Sequence, residues 1–272
     1  MTDSEIAESP GVGIALLVAL VLLFVANSAA AEAPSGEKEP AKDEASMGAI
    51  VTDRPDFTES SQTVPVGHPQ FEMGAGFATT SSSSVFTPAN ILVRYGVLDT
   101  VELRLGTAPV SVDFAEEGEP GVDGLAETTL AAKVAGKVSK GFRVGVIPWT
   151  TAANITGEET FSTGAIGTFS LSGDGAVSVA GNVGVGYTFG DGEGAGLEGT
   201  GSLAAGIGLP ANFGTYLETY AIIPPGTDPI QTYVDTGILY MVTPHLQIDT
   251  YLGSRIPEFD EMTAGAGVSF LL

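Results

Sequence analysis

Residues 177–189 read Val-Ser-Val-Ala-Gly-Asn-Val-Gly-Val-Gly-Tyr-Thr-Phe. Val177, Val179, Val183, Val185, Tyr187 and Phe189 fall on one parity; Ser178, Ala180, Asn182, Gly184, Gly186 and Thr188 fall on the other. A helix would scatter the six apolar residues around its circumference, whereas a strand puts them all on one face. The opposite face is small and polar. A strand that meets lipid on one side and a polar lumen on the other has this pattern.

Outward from this stretch, the same alternation recurs from His68 to Leu272 and predicts twelve strands. The expected outward residues include Phe71, Met73, Ala75 and Phe77 on the first strand. They are Ile91, Val93 and Tyr95 on the second, and Val101, Leu103 and Leu105 on the third. Leu130, Ala132 and Val134 follow on a fourth strand (125–138), then Phe142, Val144 and Val146 on the fifth. A sixth strand (164–171) has no clear facing, and the Val177 strand is the seventh. The last five carry Leu197, Leu203 and Ile207; Phe213 and Leu217; Val234, Ile238 and Tyr240; Leu246, Ile248 and Leu252; and Val268, Phe270 and Leu272.

Short turns follow even-numbered strands, at 97–99, 139–141, 172–174, 210–212 and 242–244. Longer polar connections are expected at 108–124, 151–163, 223–231 and 255–261; residues 190–194 are the short exception. Short periplasmic turns opposite long outer loops are the habit of bacterial outer-membrane barrels. The expected fold is therefore all-β: a transmembrane, antiparallel, up-and-down β-barrel of about twelve strands over 68–272, with both chain termini on the periplasmic side. Closure removes sheet edges, which lipid does not tolerate. A soluble glycine-rich sandwich is the alternative. The alternation that runs through Ala264, Ala266, Val268, Phe270 and Leu272 favours the barrel.

Composition points the same way. Of 272 residues, 16% are charged and 43% apolar, yet outside the N-terminus the apolar residues stand singly among Gly, Ser and Thr. There is no Cys, which excludes thiolate metal sites and Cys nucleophiles. The net charge is −23, and −20 without residues 1–30, which carry Asp3, Glu5 and Glu8 and no base. Such a surface repels phosphate, so nucleic acid is excluded as a partner. An acidic pore that attracts cations and plain solvated loops both fit the charge.

Ile14 to Ala26 form a thirteen-residue apolar run, short of the roughly 20 that a spanning helix needs. The small residues Ser28 to Ala31 follow, so 1–30 reads as a signal peptide, although its leader is acidic where a secretory leader is basic. Residues 31–49, rich in Glu, Ala, Lys and Pro, read as a disordered periplasmic tether.

The run Val51-Thr-Asp-Arg-Pro-Asp-Phe-Thr-Glu-Ser-Ser-Gln-Thr-Val-Pro-Val-Gly-His68, with Arg94-Tyr-Gly-Val-Leu-Asp-Thr-Val-Glu-Leu-Arg-Leu105, resembles the family named "MetA-pathway of phenol degradation, putative". Leu125–Val134 and Leu239–Asp249 resemble later blocks of the same family, so the likeness covers about 50–272. The resemblance implies an outer-membrane barrel engaged in transport, with a loose association with aromatic catabolism. It carries no binding residues over to this chain.

Alternation predicts which charges line the pore: Glu72, Arg94, Glu102, Arg104, Glu127, Lys133, Lys137, Arg143, Glu218, Asp235 and Asp249. Arg or Lys facing lipid at mid-depth would cost about 2–4 kcal/mol, which favours the inward assignment. Most of the bases fall on strands two to five. They form either a basic arc that orients a passing solute or a static salt-bridge network that braces the interior. Residues 50–67, with Asp53, Arg54, Asp56 and Glu59, read equally as a plug folded into the lumen or as a segment under the rim. Tyr95, Trp149, Tyr187, Tyr240 and Phe270 are expected in interfacial aromatic girdles.

No catalytic residue, metal site or cofactor is expected. His68 and His245 both fall at the periplasmic rim, far from a partnered nucleophile, and the Gly cluster at 190–201 lacks the Lys-Ser/Thr of a phosphate loop. The functional expectation is a channel or transporter for small solutes in the bacterial outer membrane, with lipid and a small-molecule solute as its partners and the oligomeric state open. A plugged barrel for small apolar or aromatic compounds and a non-transporting structural or surface-interaction barrel are the other readings.

Overall fold

The computed structural model describes residues 48–272 apart from 116–120, 156–157, 174, 191–193 and 227. The expected signal peptide and the tether as far as Met47 lie outside the described residues. Twelve strands follow one another in the chain: β1 (Pro69–Thr79), β2 (Ser83–Leu98), β3 (Val101–Ala115), β4 (Gly121–Ser139), β5 (Phe142–Ile155), β6 (Glu158–Ser172), β7 (Val177–Phe189), β8 (Gly196–Gly208), β9 (Phe213–Ile223), β10 (Gln231–Thr243), β11 (Leu246–Ile256) and β12 (Met262–Leu271). Each pairs antiparallel with its neighbours, and β1 closes on β12. Closure pairs Phe71 with Phe270 and Gly74 with Gly267.

The outer face is apolar. Val183 is 71% exposed, and Leu197, Leu203, Leu217, Ile238, Ile248 and Leu252 are also exposed. In water such a surface would be an aggregation site; around a closed barrel it is the lipid belt. Phe71 stacks on Phe270, and Phe213 packs on Tyr240, near the short-turn end. Tyr187, Phe189 and Phe161 cluster near the other. Val101 differs from its expected exposure: at the β2–β3 turn it is 1% exposed.

Two departures from the sequence reading concern strand ends. Residues 108–115 and 121–124, expected in a polar connection, continue β3 and β4; 151–155 and 158–163 continue β5 and β6. Polar residues there follow from the strands running on beyond the lipid belt, where both faces meet water and alternation fades. Asp113, within the connection expected at 108–124, lies on β3 and accepts a hydrogen bond from Ser83 Oγ at 2.7 Å. The third departure is Trp149. Its parity is that of Ile147 and Arg143, and its ring lies against Gly164 and Gly186 inside the barrel rather than in a girdle. The facing of β6 is resolved too: Ile166 and Thr168 point inward.

Tight turns explain themselves locally. Gly141 closes the β4–β5 hairpin with φ at +76°, a conformation glycine adopts without a side-chain penalty.

Val183 stands midway along β7 on the lipid face. Val183→Arg should lower barrel stability by about 2–4 kcal/mol, whereas Val183→Leu should leave it unchanged. Urea unfolding in lipid vesicles, followed by tryptophan fluorescence, distinguishes the two; equal stability would place β7 in the opposite facing.

Candidate functional site: the barrel lumen

Charged and amide side chains fill the inner wall, and the chain's own residues 50–64 satisfy them. The segment enters at the short-turn end, where Ile50 N donates to Pro244 O at 2.8 Å and His245 Nε2 contacts Gly48 O at 3.1 Å. Val66 then pairs with Gly96 as the chain leaves for β1. A side chain at Gly96 would collide with the carbonyls of Val64 and Pro65, so glycine is what admits the segment this close to β2.

Between entry and exit the segment reaches around the wall. Gln70 of β1 donates to Val51 O. Arg143 of β5 donates to Ser61 O at 3.0 Å, and Ser61 Oγ reaches Thr168 of β6 at 3.0 Å. Asn182 of β7 accepts from Glu59 N and donates to Glu59 O. Thr58 meets Ser202 of β8 at 2.7 Å, and both Phe57 N and Thr58 Oγ1 donate to Glu218 of β9. Arg54 pairs with Asp249 of β11 at 3.2 Å. Its guanidinium lies over the paired glycines Gly74 and Gly267, where a Cβ on either would strike it.

Asp53 is the centre of this arrangement. Its Oδ2 accepts from Arg104 at 2.6 Å and Lys133 at 2.8 Å and lies 3.2 Å from Arg94. Its Oδ1 accepts from Ser60 N, and its own N donates to Glu72. Arg94, fully buried, also binds Glu72 at 2.9 Å, Glu102 at 2.9 Å and the carbonyls of Val51 and Gln62. Arg104 adds Glu59 at 2.6 Å and Glu102 at 3.1 Å, and Val64 N donates to Glu102. Burial opposes ionisation of Asp53, yet Arg94, Lys133 and Arg104 outweigh it and hold the carboxyl well below its ordinary range. Burial pushes Glu59 up to about 7 against the pull of Arg104. Asp56 is pushed up by burial and then by neighbouring Glu218.

The eleven charges named from alternation thus take different places. Glu72, Arg94, Glu102, Arg104 and Lys133 gather around Asp53. Glu218, Asp235 and Asp249 stand on β9–β11 and are almost fully buried. Glu127 lines the cavity above the inserted segment, while Arg143 contacts it and Lys137 is exposed nearer the β4–β5 turn. The sequence reading missed the lumen aromatics. Tyr216, Tyr220, Tyr233 and Tyr251 share the parity of Glu218, Asp235 and Asp249 and so face inward, a signal that was available. Phe57 stacks on Tyr220 at 4.4 Å, and Tyr220 on Tyr233 at 4.8 Å. On the other side, a cavity of about 340 Å³ is lined by Leu92, Ala131, Ile147, Trp149 and Ile166, with Glu59 and Arg104 among its polar groups. His68 Nδ1 contacts Leu272 O at 2.7 Å, and His245 holds the segment's entry.

A closed apolar-belted barrel with a polar lumen defines an outer-membrane β-barrel of the channel class, located in the bacterial outer membrane. The chain belongs to the family described as "Putative MetA-pathway of phenol degradation", which matches residues 52–270. Among solved structures it is similar to an outer-membrane channel from Pseudomonas putida F1, with 12% identity over 80% of this chain and 100% of that one and a TM-score of 0.62. It is also similar to the NanC porin, with 10% identity over 74% of this chain and 98% of that one and a TM-score of 0.55. These two likenesses are likenesses of fold. No individual curated protein matches the sequence.

Removing the Asp53 carboxylate leaves three buried cations short of an anion. Asp53→Ala should therefore weaken docking of the segment by about 3–5 kcal/mol, read as new protease cleavage within 50–64 of an otherwise intact barrel. The pH dependence has two limbs. The lowered carboxyl of Asp53 contributes fully above its free value near 3.9 and is lost as pH falls through its docked value. Glu59 and Asp56, raised on docking, contribute in the opposite sense and weaken docking as pH rises from about 4 towards 7. Protection of the segment should peak near pH 4 and decline towards about pH 7; a monotonic rise to pH 8 would contradict this assignment.

Proposed function

We propose that the barrel is a channel for small solutes whose lumen is obstructed by its own residues 50–64, and that Asp53, Arg54, Asp56 and Glu59 act as the plug's contact residues. The observation that carries this reading is the Asp53 knot: a carboxylate from outside the strands joined to three cations from β2, β3 and β4. The charges at Glu72, Arg94, Glu102, Arg104 and Lys133 then serve first as plug receptors. Arg143, Glu218 and Asp249 also hold the segment, which leaves Glu127, Lys137 and Asp235 as the pore-lining groups to meet a solute. The common fold with an outer-membrane channel supports the class, and binding and transport rather than catalysis account for the site.

A second reading concerns the solute. The 340 Å³ cavity joins the apolar faces of Ile147, Trp149 and Ile166 to hydroxyls of Thr129 and Thr151. A small ring with one polar substituent matches that lining, and the family's description names phenol degradation.

In planar bilayers the intact protein should give small or infrequent conductance steps. Deleting residues 50–64, or introducing Asp53→Ala, should raise conductance several-fold. Unchanged conductance in a variant that still folds, judged by its altered gel mobility before boiling, would remove the plug from the proposal.

A further inference from the structure

The lumen has two walls of opposite chemistry. On β2–β4 the cations Arg94, Arg104 and Lys133 are each met by acids. On β9–β11 the balance is different. Glu218 and Asp235 face one another across the β9–β10 ladder, and Asp56 of the inserted segment lies within Coulombic reach of both. Arg54, the segment's own cation, is engaged with Asp249. Acid therefore exceeds base on this wall.

A second observation points to a ligand. Tyr216 is 6% exposed, and its Oη has no hydrogen-bond partner among the described residues; the same holds for Oδ1 of Asp235, itself 7% exposed. Tyr216 shares the inward parity of Glu218 on β9, Glu218 pairs in register with Asp235, and the Tyr216 hydroxyl lies within Coulombic reach of Asp235, Asp56 and Glu218. Buried polar atoms without partners are costly, and a ligand that supplies donors relieves that cost. Aromatic faces lead to the same place. Tyr233 reaches Glu261 of the β11–β12 connection at 3.0 Å, and the stack Tyr233–Tyr220–Phe57 runs from there down to the inserted segment.

We infer that the β9–β11 wall binds organic cations, with Asp235 and Glu218 as counter-charge and the rings of Tyr216 and Tyr220 as the surface for the ligand's apolar body. Carboxylates beside aromatic faces recognise ammonium and guanidinium groups through charge and cation–π attraction. A bare metal ion fits this wall poorly: no three His, Cys, Asp or Glu side chains among the described residues converge to hold one. The protein supplies its own precedent, because the guanidinium of Arg54 already rests against this side of the lumen, paired with Asp249 and within Coulombic reach of Tyr251. The inference deepens the channel reading by naming a solute class, and rests on it for transport but not for binding.

The test uses two probes with one ring and opposite charge, benzylammonium and benzenesulfonate, titrated calorimetrically into the detergent-folded protein at neutral pH. The cation should bind at least about tenfold more tightly than the anion. Asp235→Asn should abolish that preference, and Asp99→Asn, which removes a carboxylate at the β2–β3 turn, should leave it intact. Should Asp235→Asn fail to fold, Tyr216→Phe, which keeps the ring and removes only the hydroxyl, should weaken cation binding several-fold. Equal binding of the two probes, or a preference that survives Asp235→Asn, overturns the inference. Conductance is read separately. A barrel that stays silent after deletion of residues 50–64, while the intact protein still prefers the cation, sinks the channel reading and leaves the binding site standing; a conducting barrel with no preference does the reverse.

Discussion

Three cations, Arg94, Arg104 and Lys133, project from adjacent strands into one patch of the lumen, and all three are buried. Their mutual repulsion and lost hydration would oppose barrel closure if nothing met them. Asp53 meets all three with one oxygen. Because Asp53 belongs to no strand, the wall cannot reach balance without the segment that carries it. Glu72 and Glu102 supply the remaining anions and, through Asp53 N and Val64 N, also bind the segment's backbone. The same groups that neutralise the wall therefore also bind residues 50–64.

Glycine makes room for this inside a twelve-strand wall. The interior of a barrel this narrow fills with side chains, so a long side chain must lie flat on its neighbour. It can do so where the neighbouring strand has no Cβ. Arg54 lies on Gly74 and Gly267, Trp149 on Gly164 and Gly186, Tyr216 on Gly237 and Tyr251 on Gly265. Glycine in a strand ordinarily weakens it, and covering aromatic rings offset part of that loss. The abundance of Gly, which first marks the chain as unlike a soluble core, turns out to be the counterpart of a lumen rich in large, flat side chains.

How far the sequence reveals this follows from the period of a strand. Alternation is strict where one face meets lipid and the other does not, so strand number, most short turns and the inward parity of Arg94, Glu102, Lys133, Glu218 and Asp249 are legible from it. It lapses beyond the lipid belt, and for that reason the outer ends of β3–β6 read as connections. Trp149 was misread because aromatic residues near strand ends suggest a girdle, although its own parity pointed inward. The docking of 50–64 is different in kind. Nothing periodic marks it, since it follows no strand or helix; its traces in the sequence are its own charges at Asp53, Arg54, Asp56 and Glu59 and the surplus of inward base on β2–β4, and neither says which residue answers which.

The position of the knot also shapes what the rest of the lumen can do. By drawing Asp53 and Glu59 to β2–β4, the segment spends its anions on the basic wall. It sends only backbone N–H groups, a hydroxyl and the acidic Asp56 towards Glu218 and Asp235. Neutralising one side of the bore thus leaves the other acidic and lined by tyrosines. A solute that approaches from the long-connection end meets rings first and carboxylates next, with Phe57 already stacked on Tyr220 in the place a ligand's ring would take. On the inferred cation site, a ligand's ring and Phe57 would compete for the same face of Tyr220, so binding there would favour release of Phe57 from that face.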